Sequence, residues 1–559
     1  MKRDLNALAA TEFDILIIGG GIYGATVAWE AALRGLSVAL VERGDFASGT
    51  SASSLKIIHG GLRYLQHLDI KRVRESVRER CILLAIAPHL VHPLPCVMPT
   101  YGHLMKGKEV MRLGLLANDL FSFDRNRLAD PDKWIPAGRV ISRKQVLELL
   151  PGIDPAGVTG GACWTDAQMY NSERMTLAFL LSAASQGAQL ANYVEAVWLA
   201  SDKGVVRGVH ARDVLSGDTL DVRARLVVNA AGGWANELLA ASGLPPVPFQ
   251  LSTAMNIIVR KRLLNGYAAG VYGNFTYPTP GGRTHAGRHV LFMAPWRGYT
   301  IIGTFHRPYL DGKVRLQATE QELEQFLTEV NSAYPGGAIS RDDIVFVHKG
   351  FLPMDGVTGK TGEVQLTKHY RLVDHARLGG PEGLLTVIGV KYTTARDVAE
   401  KTVNLAAKKL GKAKDGGRSR TTPLVGGHIP RFSSFLEDAV AHASGGLSPS
   451  LVRHLVMNYG SDCARLLAYG QESAELLSPF PGSQVLGAEV VHAAREEMAC
   501  KLSDAVLRRT ELGSAEYPGD EAVKGCARLM AKELGWPARR AEREVEDMKR
   551  GYPMPHAVP

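Results

Sequence analysis

Residues 13–42, FDILIIGGGIYGATVAWEAALRGLSVALVE, decide the fold, because they encode a strand, a glycine turn, a helix and a returning strand that ends in an acid. Phe13 to Ile18 is a continuous apolar run, as a buried parallel strand requires. Tyr23 to Arg34 predicts a helix that Gly35 closes, and Ser37 to Val41 predicts the second strand. The stretch therefore predicts a βαβ unit.

The glycines of this unit indicate a ligand. Gly19, Gly21 and Gly24 form the pattern G-x-G-x-x-G, in which the first glycine permits a tight turn, the second admits a pyrophosphate and the third lets helix and sheet pack closely. Phosphates would lie at the helix N-terminus, where free N–H groups favour negative charge. Glu42, 18 residues after Gly24, is placed to bind ribose hydroxyls and would repel a 2′-phosphate. The segment predicts FAD or NAD rather than NADP.

Composition sets the broad class. A chain of 559 residues with 45% apolar and 22% charged residues indicates a globular protein of two to four domains. The N-terminal sequence MKRDLNALAATE lacks the apolar region of a secretory signal, and no run approaches 18 uninterrupted apolar residues. We therefore expect a cytoplasmic protein, with peripheral contact at the cytoplasmic face of the membrane as the alternative.

Cysteine spacing and charge exclude two further classes. The six cysteines form no C-x-x-C pair and have no histidine partners at metal spacing, so we expect no metal and no disulfide framework. The net charge of +9 is spread along the chain, which argues against a nucleic-acid partner. The densest basic run, residues 69–80, has helical apolar spacing, and we expect its arginines on a solvated face.

A second block, GTSASSLKIIHGGLRYLQ at residues 49–66, follows the Glu42 strand directly. Its small hydroxyl residues beside glycines predict backbone that wraps closely around a ligand and offers hydroxyls to phosphate or ribityl oxygens. The hydroxyl residues are Thr50, Ser51, Ser53 and Ser54. His59, Gly60, Arg63 and Tyr64 follow at a Gly-Gly turn.

At this block the chain resembles the FAD-dependent glycerol-3-phosphate dehydrogenases of the D-amino-acid-oxidase-like flavoprotein superfamily, whose signature reads close to SSKLIHGGLRYLE. The resemblance continues through APHLVHPLP, VNAAGGWAN, IIGT, GVKYTTARDVAEK and the C-terminal EVVHAAREEMACKLSDAVLRRTEL. It implies noncovalent FAD. The motifs and the resemblance together assign to the cofactor Gly19, Gly21, Gly24, Glu42, Thr50, Ser51, Ser53, Ser54, His59, Gly60, Val194, Ala231, Gly232, Gly389, Lys391, Tyr392 and Thr393.

The later motifs also predict the architecture. Leu384 to Ile388 is an apolar strand followed by a Gly389 turn and a helix N-terminus at Thr393, which supports negative charge. Period-two alternation in NIIVRKR, HVLFMAPW, YTIIGTF and DIVFVHKG predicts a mixed or antiparallel sheet. Beyond the Gly/Pro/basic linker the pattern is helical, with apolar residues at i, i+4 through residues 489–512.

We therefore expect an α/β protein with three parts. These are a discontinuous FAD-binding Rossmann-like domain (1–88, 151–244 and 351–412), an interleaved mixed or antiparallel-sheet substrate domain (89–150 and 245–350) and, after a linker at 413–424, a C-terminal all-α domain (425–559).

The substrate positions depart from the family pattern. Leu352 and Lys368 stand where the family has phosphate-binding arginines. Lys368 keeps the positive charge, but neither residue can form the bidentate contact of a guanidinium group. Asn256 replaces a histidine proposed for proton transfer, and His306 occurs in the nearby GTFH.

Alcohol oxidation needs a base within reach of the hydroxyl proton while hydride moves to the flavin. With Asn256 unable to accept a proton, His306 is the first candidate and His59 the second. The predicted catalytic residues are His306, His59, Lys391 and Asn256, and the predicted substrate-binding residues are Arg63, Tyr64, Lys368, Leu352 and Lys391.

Three functions are compatible with these residues. The first is oxidation of sn-glycerol 3-phosphate to dihydroxyacetone phosphate, with electrons passed to a quinone or another acceptor at the membrane surface. The second keeps the reaction but uses another polyol phosphate, a polyol or a hydroxy acid, and the altered positions favour it. The third is an amine or amino-acid oxidase of the same superfamily, or a non-catalytic flavoprotein. A small-molecule substrate is expected, and a homodimer is compatible with the sequence.

Overall fold

The computed structural model describes residues 1–102, 107–278, 284–309, 316–358, 363–412, 416–443 and 447–554. Parts of the predicted linker (413–415) and of the predicted C-terminal domain (444–446 and 555–559) lie outside these residues.

The described residues form two sheets and a set of helices. In chain order the strands are β1 Glu12–Ile18, β2 Val38–Val41, β3 Ile57–Ile58, β4 Val91–Tyr101, β5 Arg139–Ser142, β6 Val158–Met169, β7 Gln189–Ala191, β8 Val194–Asp202, β9 Val205–Asp213, β10 Thr219–Asn229, β11 Gln250–Val259, β12 Ala268–Pro278, β13 Thr284–Trp296, β14 Tyr299–Pro308, β15 Ile344–Val357, β16 Val364–Leu366, β17 Arg371–Asp374 and β18 Leu384–Ile388. The α-helices are α1 Leu5–Ala10, α2 Ile22–Leu33, α3 Ile70–Ile86, α4 Lys108–Phe121, α5 Arg143–Leu149, α6 Ser172–Ser185, α7 Ala235–Ala241, α8 Glu320–Ala333, α9 Ala395–Lys409, α10 Phe432–Ala441, α11 Pro449–Tyr459, α12 Cys463–Leu467, α13 Gly487–Glu496, α14 Leu502–Asp504, α15 Asp520–Leu534 and α16 Ala538–Arg550.

The first sheet has the order β17-β18-β10-β1-β2-β7, with β8 and β9 attached beside β10. Strand β1 runs parallel to both β2 and β10, and β10 runs parallel to β18. Residues 13–18 are buried because α2 and other elements cover both faces, which explains the continuous apolar run. The predicted Rossmann-like fold is confirmed.

The second sheet has the order β16-β15-β11-β14-β13-β12-β4-β6-β3, and β5 pairs with β6. Most pairs are antiparallel, as the alternating sequences predicted, and β12 pairs with β4 in parallel. Helix α8 packs against this sheet through Phe326, which contacts Phe305.

The sheets divide the chain differently from the predicted domain boundaries at three places. Strand β3, inside the segment 1–88, belongs to the second sheet. Strand β6, inside the segment 151–244, belongs to the second sheet, and so do residues 351–357 of β15 together with β16. Strand β6 is buried between strand partners along almost its whole length. Its sequence VTGGACWTDAQM lacks the period-two pattern that marked other strands of this sheet.

The C-terminal part is helical, as predicted, but the continuous helix predicted over 489–512 is wrong. Helix α13 ends at Glu496, and Met498 adopts a left-handed φ of 59°. The chain turns here because the Glu497 carboxylate accepts hydrogen bonds from Arg174 and the Met498 carbonyl accepts one from Asn192. Among the described helices, none has the length and apolar character needed to cross a bilayer.

Candidate active site

The glycine turn after β1 has the geometry that the sequence predicted. Gly19 has a left-handed φ of 107°, and a Cβ at this position would lie 2.7 Å from the Ala230 carbonyl oxygen. A Cβ at Gly24 would lie 1.8 Å from the Gly19 carbonyl oxygen, so only glycine lets α2 start this close to the turn. Gly21 is the N-cap residue of α2 and lies against the Ser51 hydroxyl.

Glu42 and Ser51 hold this turn. The Glu42 carboxylate accepts hydrogen bonds from the N–H groups of Gly20 at 2.6 Å and Gly44 at 2.8 Å. Burial raises the pKa of Glu42, and these N–H groups oppose that rise. The Ser51 hydroxyl oxygen accepts the Ile22 N–H at 2.9 Å, so Ser51 lies where α2 would receive a phosphate.

The other predicted hydroxyl residues have protein partners. Thr50 is bonded to the backbone of Phe351 in both directions, and a Cβ at Gly350 would lie 2.9 Å from its hydroxyl. The Ser54 hydroxyl accepts the Lys56 N–H, and the Ser53 carbonyl accepts a 3.5 Å contact from the Asn256 amide. The loop is therefore fixed against the second sheet through several of the groups that were predicted to bind the cofactor.

The turn after β18 is held by Tyr23, which the sequence reading missed. Its hydroxyl donates to the Lys391 carbonyl at 2.7 Å and accepts the N–H groups of Val390 and Lys391, each at 3.1 Å. A Cβ at Gly389 would lie 2.0 Å from the Tyr23 ring. Burial raises the pKa of Tyr23 to about 12, so it stays a neutral phenol.

Two neighbouring predicted residues have different surroundings. The Tyr392 hydroxyl donates to the Ser172 carbonyl at 2.9 Å and lies 2.9 Å from the Thr176 hydroxyl, so its side chain points toward α6. Thr393, in contrast, accepts the His59 N–H at 3.3 Å. This bond joins the turn to the IHGG segment.

The remaining cofactor positions lie at strand ends around the glycine turn. The Ala230 N–H donates to the Ile18 carbonyl at 2.9 Å, which places Ala231 and Gly232 beside Gly19. The Val194 N–H donates to the Glu42 carbonyl at 2.8 Å. These segments meet at the carboxyl edge of the parallel strands, where α/β sheets bind dinucleotides.

His59 is held by a buried carboxylate. Its Nδ1 lies 3.5 Å from the nearer oxygen of Asp166, whose other oxygen accepts the Gly60 N–H at 2.6 Å and Arg80 at 3.0 Å. Burial by itself would raise the pKa of Asp166, but the contacts with His59, Arg80 and Gly60 lower it to about 2. Asp166 is therefore ionised at neutral pH and orients the imidazole.

Tyr64 lies between two cations. The Lys391 Nζ is 3.9 Å from the ring centroid, and the Arg72 guanidinium carbon is 4.0 Å from it. Burial, with Arg72 adding to it, lowers the pKa of Lys391 to about 7. Arg72 and Arg80 are buried, so the expectation of a fully solvated arginine face on α3 is wrong for these two residues.

Asn256 and His306 lie on neighbouring strands of the second sheet. The Asn256 side-chain oxygen accepts the Thr304 hydroxyl at 2.8 Å, so Asn256 has a local structural contact. His306 lies opposite Ala254, and its Nδ1 is buried without a hydrogen-bond partner in the described part of the chain. Burial lowers the pKa of His306 to about 4, and His289 and Arg63 act in the same direction.

Leu352 and Lys368 lie near each other at the end of β16. Met354 pairs with Leu366, and the Thr367 N–H donates to the Pro353 carbonyl at 3.0 Å. Lys368 follows Thr367 in a bend and is exposed, whereas Leu352 precedes Pro353 on β15. The two positions where the family pattern has arginines are thus neighbours, and only one of them carries a charge.

The sequence missed three residues that support the site, Tyr23, Asp166 and Arg72. Asp166 stands in WTD at the end of a segment whose strand character was hidden, and Arg72 belongs to a basic run that was predicted to face solvent. Tyr23 stands inside the glycine fingerprint itself, where a bulky phenol beside small residues was the available signal.

A parallel sheet whose glycine turn, helix N-terminus and strand ends meet beside a histidine and two cations defines a dinucleotide-dependent oxidoreductase. The family model described as "FAD dependent oxidoreductase" matches residues 14–390, and the model "C-terminal domain of alpha-glycerophosphate oxidase" matches residues 418–541. The chain belongs to the FAD-dependent oxidoreductase family, in the branch that contains the glycerol-3-phosphate dehydrogenases. Its cofactor is FAD, as predicted.

Similar proteins agree over nearly the whole chain. A glycerol-3-phosphate dehydrogenase of Synechocystis is 32% identical over 97% of this chain and 97% of its own length. The mouse mitochondrial glycerol-3-phosphate dehydrogenase is 33% identical over 96% of this chain and 73% of its own length. The X-ray structure of the Bacillus halodurans glycerol-3-phosphate dehydrogenase complexed with FAD has a TM-score of 0.74 at 24% identity, covers 98% of this chain and 95% of that chain, and shows the shared fold.

The residues of this chain fit the cofactor. A Cβ at Gly21 would lie 3.1 Å from the Ser51 hydroxyl, so glycine keeps side-chain atoms away from the α2 N-terminus, which could receive a pyrophosphate, and Glu42 at the end of β2 could receive a ribose. The roles of the individual residues remain predictions.

Proposed function

We propose that this protein oxidises the secondary alcohol of a polyol or polyol phosphate and that glycerol 3-phosphate itself is a poor substrate. The family supports the reaction type. The substrate assignment rests on one observation, that Leu352 and the exposed Lys368 are the neighbours of Pro353 and Thr367, which are joined by a backbone hydrogen bond. A phosphate bound there would contact an apolar side chain and a single flexible ammonium instead of two bidentate guanidinium groups.

In this proposal His59 is the base, which reverses the order that the sequence suggested. The ionised Asp166 holds the His59 ring in one orientation. The hydrogen bond from the His59 backbone N–H to the Thr393 hydroxyl joins the His59 segment to the turn after β18. His306 has a pKa of about 4 and is a weak proton acceptor at neutral pH. Bound FAD would supply the hydride acceptor.

Lys391 serves as the cation that stabilises the developing alkoxide. Its ammonium lies on the Tyr64 ring, close to the segment that carries His59 and Arg63. Arg63 is exposed on the same segment and is available to an anionic or hydroxyl-bearing part of the substrate. A cation placed before the reaction costs no reorganisation when charge develops.

The test is anaerobic reduction of the purified holoenzyme. Glycerol 3-phosphate, longer polyol phosphates, free polyols, hydroxy acids and amino acids are added in turn, and bleaching of the flavin absorbance is followed. We expect a polyol or polyol phosphate to bleach the flavin faster than glycerol 3-phosphate. Fast bleaching by glycerol 3-phosphate alone would overturn the substrate assignment, and peroxide formation with amino acids would overturn the reaction.

For the electron acceptor we propose a quinone that is reached from a membrane surface on α4. Large apolar side chains are exposed on one side of this helix, with Leu113, Leu116 and Leu120 66%, 57% and 69% exposed. Leu68 and Phe123, 82% and 68% exposed, extend the patch. Exposed cations border it at Lys71, Lys108, Arg112 and Arg127, as contact with anionic headgroups requires.

This surface adjoins the proposed active site. Helix α4 packs against residues 62–67, the segment that contains Arg63 and Tyr64. An acceptor dissolved in lipid would therefore approach the protein beside the flavin site. The assignment supports a peripheral location at the cytoplasmic face.

Vesicle flotation tests the surface. We expect binding to vesicles of anionic phospholipid that high salt weakens and that Leu120→Asp reduces tenfold or more, because burial of one leucine side chain is worth about 1.5–3 kcal/mol. Leu378→Asp is the matched control, since Leu378 is 74% exposed on a different element. Binding that resists both high salt and carbonate, or equal loss in both variants, would contradict the proposal. The homodimer remains a prediction, which light scattering on the holoenzyme tests.

A further inference from the structure

The second sheet divides beside the proposed active site. Strands β13 and β14 pair only from Phe292 opposite Gly303 to Trp296 opposite Tyr299. On the other side of Phe292, β13 continues along β12 while β14 continues along β11. In the described residues no ladder therefore joins 287–291 to 304–308, and we call this opening the fork.

The fork is lined by side chains that can form hydrogen bonds. His289 projects from β13, His306 and Arg307 stand on β14, and Glu329 reaches in from α8, with its carboxylate 3.8 Å from the His289 Nε2. Arg63 is close enough to influence both histidines electrostatically. Polar residues of four different elements thus lie around this opening, with Arg307 on its α8 side and His306 on the other side of β14.

Two buried atoms of the fork have no hydrogen-bond partner in the described part of the chain. These are Nδ1 of His306 and Oε2 of Glu329, a residue that is only 4% exposed. Buried polar atoms in proteins are almost always hydrogen-bonded, so these two atoms, one of them 3.8 Å from the His289 Nε2, point to a bound molecule.

The protonation states of His306 and Glu329 suit hydrogen bonds to hydroxyl groups of a ligand. Burial raises the pKa of Glu329 to about 7 and lowers the pKa of His306 to about 4. Near neutral pH the imidazole is uncharged and the carboxyl group is partly protonated, and each such group both donates and accepts hydrogen bonds. Hydroxyl groups on a carbon chain have the same double capacity.

The fork starts where the reaction is proposed to occur. The His59 ring lies 5.9 Å from the ring of Phe292, the last residue before the strands separate, and Thr304 on the opposite strand is bonded to Asn256. A carbon chain whose alcohol faces His59 would therefore extend into the fork toward His306 and Glu329.

We infer that the fork binds the hydroxyl-bearing chain beyond the oxidised carbon, and that the substrate is a polyol or polyol phosphate of four or five carbons. The inference rests on the proposed function, because it specifies the length of that alcohol substrate. It makes His306 and Glu329 specificity-determining residues rather than bases.

A chain-length series tests it. The holoenzyme is assayed with glycerol 3-phosphate, erythritol 4-phosphate and ribitol 5-phosphate, and with the free polyols glycerol, erythritol and ribitol. In the wild type we expect kcat/KM for a four- or five-carbon compound to exceed that for its three-carbon counterpart at least tenfold. Glu329→Leu and His306→Leu should bring this ratio to near one, whereas Glu329→Gln should keep most of it.

Glu324→Gln is the matched control for Glu329→Gln, because Glu324 is an exposed carboxylate on the same helix. The ratio is taken within each variant, so partial loss of folded enzyme cancels, and flavin absorbance reports the folded fraction. A wild-type ratio of one or below, or an unchanged ratio in both leucine variants, would overturn the inference. Activity only with hydroxy acids would overturn it as well and leave the flavin-dependent alcohol oxidation intact, whereas the failure of every alcohol to reduce the flavin would overturn the proposed function itself.

Discussion

Replacing Leu352 by arginine tests the altered phosphate position most directly. Leu352 is partly buried on β15, and Lys368 is exposed in the bend after β16, next to Thr367, whose N–H donates to the Pro353 carbonyl. Arginine and lysine side chains are long and flexible, so Leu352→Arg would bring a guanidinium and an ammonium within reach of one phosphate. A hydrogen bond to a charged group contributes about 1.5–3 kcal/mol, which corresponds to a gain of about 10- to 150-fold in kcat/KM for glycerol 3-phosphate.

The assay is steady-state reduction of an artificial acceptor with glycerol 3-phosphate, at equal FAD content. Val357→Arg is the control, since it adds the same charge to the same strand at a position that is 48% exposed. A gain in Leu352→Arg and none in Val357→Arg supports the reasoning. A wild-type kcat/KM already at roughly 10⁴ M⁻¹s⁻¹ or above, the ordinary range for enzymes on their own substrates, would refute it, and so would a change below twofold in the variant.

Three further predictions concern the cofactor, the ion pairs and the pH dependence. Gly24→Ala should abolish FAD binding, measured by flavin absorbance after gel filtration, because the new Cβ would lie 1.8 Å from the Gly19 carbonyl oxygen. Asp45→Asn should lower the free energy of unfolding of the holoenzyme in urea by about 3–5 kcal/mol, because it removes the carboxylate that pairs with the buried Arg509 and one of the two that pair with Arg508. Lys391 is protonated below its pKa of about 7, so kcat/KM should fall as pH rises through 7, and Lys391→Met should be at least tenfold less active with no such fall.

Each of these has a control in the same chain. Gly114→Ala should keep FAD, because no atom lies within 4 Å of the added Cβ. Asp221→Asn removes an exposed partner of His210 and should change the stability by less than about 0.5 kcal/mol. Retention of FAD in Gly24→Ala, equal stability losses in the two aspartate variants, or the same pH profile in Lys391→Met and wild type would contradict the respective prediction.

The fold was predictable where local sequence and tertiary environment agree. The run Phe13 to Ile18 is apolar because β1 is covered on both faces, and Gly19 and Gly24 are required by contacts within the same βαβ unit. The alternating stretches also predicted strands correctly, although most residues of β11 and of the first part of β15 are buried on both sides. In these segments the sequence pattern that favours the strand or turn also fits its position in the folded protein.

The candidate site was less predictable because its supporting contacts join distant segments. Asp166 approaches His59 and Gly60 across more than a hundred residues, and Tyr23 reaches Lys391 over 368 positions. Charge patterning also led to a wrong prediction, because Arg72 was expected on a solvated face but lies against the Tyr64 ring. The helical pattern around a basic residue does not predict that an aromatic ring will cover its side chain.

The C-terminal helices also support the loop that follows Glu42. Asp45, three residues after Glu42, is fully buried and accepts bonds from Arg509 at 2.7 and 2.8 Å and from Arg508 at 2.5 Å. Tyr193, whose N–H donates to the Gly44 carbonyl, donates its hydroxyl to Asp504 at 2.7 Å. The loop predicted to hold the adenosine is therefore fixed from outside by charges of the C-terminal part. Because the loss of one partner of a buried ion pair is strongly destabilising, Arg508 and Arg509 of the motif RRTEL couple the C-terminal helices to the loop after Glu42.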